Sequence, residues 1–135
     1  MLMPKKSKYR KSQKGRRGGK ASSKLTLSFG NFGLKSLENH WVTARQIEAA
    51  RRALTKFTKK TGKIWIRIFP DKPVTIKGGE IPMGKGKGSV DHYVCVVKPG
   101  MIMFEVGGAA EEIVREAFRK ASAKLPIDVK IITRE

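Results

Sequence analysis

The sequence is poor in several things at once. It has one cysteine, Cys95, and so no intrachain disulfide, which fits a reducing compartment. Two histidines, His40 and His92, are too few with that cysteine for a zinc set. No apolar run is long enough to span a bilayer, and the N-terminus has charge without the apolar core of a secretory signal. Its glycines and Pro4 spoil the amphipathic helix of an organelle transit peptide, so it is read as part of the mature protein. Acid is scarce beside base: 11 Asp and Glu face 30 Lys and Arg, a net charge of +19, and the first acidic residue is Glu38. A compact body with that charge repels itself, so the expected partner is a polyanion: RNA, DNA or an anionic membrane.

What is present organises into a tail and one domain, the size that 135 residues suggest. Residues 1–24 hold ten Lys or Arg and almost nothing to bury. Such a stretch is disordered alone and orders on binding, unless it is merely a solvated tail. Its glycines Gly15, Gly18 and Gly19 let the backbone follow an irregular phosphate surface.

Residues 25–135 read as a single α+β domain. Leu25, Leu27 and Phe29 alternate with Thr26 and Ser28 as in a half-buried strand, followed by a turn at Gly30, Asn31 and Gly33 and a partner strand over 34–38. Thr43 and Gln46 form a capping box, and Gly62 is the stop, so a helix lies between. Ile47, Ala50, Leu54 and Phe57 share its apolar face, while Arg45, Arg52, Lys56 and Lys59 lie opposite. That basic stripe is either a solvated face or, beside a basic tail, an RNA contact. "KIWIRIF" (63–69) alternates Ile64, Ile66, Ile68 with Trp65, Arg67, Phe69. The second set would stack bases if exposed, but a central strand packed on both faces is the preferred reading. An extended piece covers 74–77. "VDHYVCVV" and "MIMFEV", joined by Pro99-Gly100, read as a hairpin. A second helix starts near Ala110 with Glu111 and Glu112 at its positive end. Its apolar face is Ile113, Val114, Ala117, Phe118, Ala121 and Leu125; Pro126 ends it, and 127–133 is a last strand.

The Gly/Lys-rich loop at 78–88 invites an enzymatic reading. Gly79, four residues, Gly84 and Lys85 match the spacing of a P-loop, but Gly86 stands where Ser or Thr should hold Mg²⁺. A P-loop also opens a helix, whereas this loop leads into a strand pattern. His92 and Cys95 point to opposite faces of their strand, Cys95 reads as a buried filler, and the carboxylates are scattered. No active site, metal site or cofactor is expected. Glycines at 84, 86 and 88 instead allow close backbone approach to phosphates, with Lys85 and Lys87 adding charge beside Lys77. Neutralising ~8 phosphates would give a log–log salt slope of about −6 to −7. A free-standing RNA or DNA chaperone, an NTP-hydrolysing enzyme and a membrane-surface protein are the alternatives, in that order. The last lacks a bulky apolar face to enter lipid.

Several stretches together resemble one family. "MLMPKKSKYRKSQKGR", "SFGNFGLK", "TARQIEAARRALT", "GKIWIRIFPDKPVT", "MGKGKGS", "VVKPG", and "REAF" with "AKLP" are similar to the bacterial and organellar large-subunit ribosomal protein sixteen, in order and over nearly the whole chain. The resemblance implies a non-enzymatic protein with a two-helix α/β sandwich, a hammerhead-like β motif and an extended basic N-terminal arm. It implies binding to 23S-type rRNA near the base of the central protuberance, beside A-site tRNA, the peptidyl transferase region and neighbouring large-subunit proteins, with entry late in assembly. The setting would be a cytoplasmic or organellar ribosome, with no membrane and no small-molecule substrate. The residues assigned to RNA are Lys5, Lys6, Lys8, Arg10, Lys11, Lys14, Arg16 and Arg17 in the arm, and Arg45, Arg52, Lys56 and Lys59 on the helix. Lys85 and Lys87, with the backbone of Gly84, Gly86 and Gly88, complete the set in the loop. Two departures stand out. Pro82 replaces an Arg common in the family, and Asp91-His92-Tyr93 replaces an acidic–Tyr–Trp pattern, so contacts belonging to those family residues are not carried over.

Overall fold

The computed structural model describes residues 2–4, 26–58, 61–76 and 89–134. In chain order these form β1 (Phe32–Ser36), β2 (His40–Thr43), α1 (Ala44–Thr58), β3 (Lys63–Ile66), β4 (Lys72–Ile76), β5 (Ser89–Val97), β6 (Ile102–Gly107), α2 (Glu111–Ser122) and β7 (Val129–Thr133). The expected mixed α+β class with two helices is what forms. Its strands make two antiparallel sheets, one ordered β3-β6-β1-β7 and the other β2-β5-β4.

One core serves both sheets and both helices. Leu34, Met103, Phe104 and Val106 from the first sheet meet Val42, Cys95 and Val97 from the second, with Ile47, Ala50 and Leu54 of α1 and Val114, Ala117, Phe118 and Ala121 of α2. The helices pack chiefly on each other. The capping box is made as its spacing requires: the Thr43 N–H donates to Gln46 Oε1 at 2.9 Å, and the Gln46 N–H to Thr43 Oγ1 at 3.1 Å. Cys95 is buried in this core, as a small filler should be.

The expected β5–β6 hairpin does not form. The Lys98–Met101 turn is present, with Met101 N–H donating to Lys98 C=O at 3.2 Å and Gly100 at φ +93°, a conformation that suits glycine. Yet the Gly100 N–H donates to Ser36 C=O, tying the turn to β1, and the strands on either side enter different sheets. A turn of this hand splays its strands, whereas two-residue hairpins use the mirror types whose twist matches the sheet. The actual hairpin is β4–β5: Ile76 pairs with Ser89, so residues 77–88 connect two paired neighbours. The Gly/Lys stretch is therefore a hairpin connection that runs into a strand, not a helix, which removes the P-loop reading.

Four smaller expectations are also corrected. Residues 26–30 are not a strand, and β1 runs straight through Gly33. Gly62 is in a bend and lacks the positive φ of a C-cap glycine, so it does not cap α1 as expected. It does sit in a tight spot, where a Cβ would lie 3.2 Å from Gly107 O and from the Ala109 Cβ and would need those neighbours to give a little. Ile113 is 41% exposed because the apolar arc of α2 is narrower than the sequence implied. β3 stops at Ile66 and is an edge strand, so "KIWIRIF" is not central.

Candidate nucleic-acid interface

The outer face of α1 carries the predicted body cations that the structure describes. Arg45, Arg52 and Lys56 are exposed on it. Between them Glu48 bonds Arg51 Nη2 and, at 3.2 Å, Arg52 Nε. The Arg51 hydrogen bond, opposed by partial burial and helped by Arg52, lowers the Glu48 carboxyl to about 2, so it is ionised at any physiological pH. One acid then answers four basic residues on the helix, leaving α1 at +3. On α2 three acids face three bases, and Glu111–Arg115 and Glu116–Arg119 are ion-paired along its surface. The two packed helices thus differ: one offers uncompensated cations, the other is neutral.

Lys5, Lys6, Lys8, Arg10, Lys11, Lys14, Arg16, Arg17, Lys59, Lys85 and Lys87, with Gly84, Gly86 and Gly88, lie outside the described residues. What is visible of the loop is its anchorage, the Ile76–Ser89 pair. A bulge beside it, where Val74 and Thr75 face His92 and Val90, leaves Asp91 as the extra residue; its carboxylate meets His92 Nδ1 at 2.7 Å. Among the described residues no group of three or more His, Cys, Asp or Glu could hold a metal ion, and no helix is long and apolar enough to cross a membrane.

A second feature escaped the sequence reading. Glu105, on the central strand β6, is wholly buried. Its Oε1 accepts the consecutive N–H groups of Ser28 (3.0 Å), Phe29 (2.9 Å) and Gly30 (2.9 Å). Its Oε2 pairs with the Arg67 guanidinium, which also reaches Thr26 C=O at 3.1 Å. Three successive N–H groups cannot converge on one atom from a strand, where they alternate in direction, so residues 26–30 curl over the sheet's outer face instead. Gly30 belongs there by necessity, since a Cβ would stand 2.7 Å from Val106 O.

The curl seats Phe29 over Trp65, with ring centroids 5.9 Å apart and planes 17° from parallel. Arg67 lies 5.6 Å from the Phe29 ring, and Lys63 Nζ 5.5 Å from that of Trp65. The aromatic–Arg–aromatic set of "KIWIRIF" is thus partly covered: Trp65 and Arg67 are half-buried beneath Phe29, while Phe69 is 42% exposed. A usable signal existed. Glu105 and Arg67 are each the lone charge in an otherwise apolar run, a pattern that calls for a partner.

Comparison with known proteins identifies the family. The family profile described as ribosomal protein L16p/L10e matches residues 4–132. The chain is also 58% identical over all 135 residues, covering 98% of its length, to the large ribosomal subunit protein uL16 of Trichodesmium erythraeum (strain IMS101). This chain therefore belongs to the bacterial-type L16 family of large-subunit ribosomal proteins, which are structural and non-catalytic.

Proposed function

We propose that this structural protein of the large subunit, at work in the cytoplasmic ribosome, binds 23S-type rRNA near the base of the central protuberance. Three basic elements would do so: the extension at 1–24, and, within the domain at 25–135, the outer face of α1 and the loop at 78–88. Lys5, Lys6, Lys8, Arg10, Lys11, Lys14, Arg16 and Arg17 act from the extension. Arg45, Arg52, Lys56 and Lys59 act from the helix, and Lys85 and Lys87 from the loop. In this reading the extension and loop approach A-site tRNA beside the peptidyl transferase region, and the protein supports late assembly alongside neighbouring large-subunit proteins.

The observation that carries the reading is the one-sided charge of the helix pair. A neutral partner helix completes the core, while α1 keeps three uncompensated charges where phosphates can reach them. The tagged full chain should sediment with large subunits at near-stoichiometric level and stay after a high-salt wash. Complete release by the wash, or migration at the top of the gradient, would give the role to a general RNA chaperone.

A further inference from the structure

We infer that the outer face of Phe29 is a stacking platform for an unpaired RNA base, a site that deepens the rRNA-binding reading and rests on it. The Phe29 N–H is the middle one of the three held by Glu105, so the backbone that carries the ring is fixed by a buried carboxylate. Trp65 on β3 stacks on the ring, and Arg67 just beyond the strand's end lies against it. Despite that support Phe29 is 58% exposed, and Trp65 stacks on only one of its two faces. Single exposed apolar side chains are ordinary. One clamped by ionic hydrogen bonds and backed by a second aromatic is organised in advance, so binding has little left to order.

The surroundings select the occupant. Glu105 is wholly buried and paired with Arg67, so it offers no repulsion to a phosphate. Lys63 is exposed beside Trp65. A flat apolar face flanked by a cation matches a nucleotide, whose base supplies a π-face and whose phosphate supplies the charge. Stacking of this kind tolerates any base, and in folded RNA it takes bases that loops and bulges leave unpaired.

The test compares the full chain with Phe29→Leu, which keeps an apolar contact to Trp65, and Phe29→Tyr, which keeps the ring. Affinity is measured against transcribed 23S-type rRNA and an unrelated single-stranded RNA over a range of salt. Phe29→Leu should weaken rRNA binding about 5- to 100-fold, the span of one base stack removed. The log–log salt slope should stay as in wild type, because every phosphate-neutralising cation is kept, and Phe29→Tyr should restore affinity. Unchanged binding by Phe29→Leu, or no rescue by Phe29→Tyr, overturns the platform. So does unchanged RNA affinity with lost retention on large subunits, which would assign the surface to a neighbouring protein. Equal wild-type affinity for both RNAs would sink the rRNA reading instead. The Leu–Tyr comparison on the unrelated RNA would then judge the platform separately.

Discussion

A carboxylate with no contact to water usually destabilises a fold, and Glu105 escapes this only through the donors that converge on it. Burial pushes its pKa up, but the N–H groups of Gly30 and Phe29, the Arg67 guanidinium and the Ser28 N–H together outweigh burial, and the group titrates below the usual carboxylate range. The folded-state pKa is depressed, so its stabilisation is whole above the unfolded value of about 4.3 and is lost as pH falls through the folded value. Glu105→Gln leaves Arg67 half-buried without its counter-charge and should cost about 3 kcal/mol at pH 7 in urea unfolding. The deficit should shrink at pH 3, where the unfolded chain has taken up a proton that the depressed folded-state carboxyl binds only at lower pH. An equal deficit at both pH values would mean that shape, not charge, is what Glu105 contributes.

At the scale of elements, the two packed helices differ in how their surface charge is answered. On α2 each acid that pairs sits three or four residues from its arginine, so the surface cations are answered locally. On α1 Glu48 is shared between Arg51 and Arg52, while Arg45 and Lys56 lie to either side along the helix. Arg45→Ala with Lys56→Ala should therefore weaken rRNA binding and flatten the salt slope by about 0.7–0.9 for each phosphate no longer neutralised. Arg115→Ala on α2 should change neither by a comparable amount. Filter binding at several salt concentrations reads both, and an equal effect from α2 would dissolve the distinction between the helices. The strands make a similar point. β6 is buried at every position because it lies inside its sheet with the core on one face and residues 26–30 on the other. β3, at the edge, needs Phe29 to cover Trp65.

Across the whole molecule the charge of +19 has to be carried without unfolding the body. Ten of the 30 basic residues fall within 1–24, and the Gly/Lys stretch sits between hairpin strands, so much of the repulsion lies away from the core in sequence. This makes the loop cations separable from stability. Lys85→Ala with Lys87→Ala should leave the urea midpoint of the free protein unchanged, lower the magnitude of the salt slope by about 1.5, and impair subunit assembly or A-site tRNA use. Normal ribosome profiles and normal translation in that variant would remove the loop from the mechanism.

Whatever depends on near neighbours in the chain was legible in the sequence. The Thr43–Gln46 box acts over three residues, the Lys98–Met101 turn over four, and the helical and strand periodicities over one or two turns or pleats. Net charge is a sum that needs no fold, and the family motifs are strings. The tertiary structure decided everything that rests on distant partners. Glu105 meets Arg67 across 38 positions and the 28–30 backbone across 75 to 77, so the curl over Trp65 could not be seen in an alternating "LTLSF" that reads equally well as a strand. Strand pairing has the same character. β5 is next to β6 in sequence, yet it pairs with β2 and β4, because the Gly100 N–H is anchored on β1 and the chain changes sheets there. Local backbone preference could specify a turn, but only the packing of two sheets on one core could choose which strands it would join.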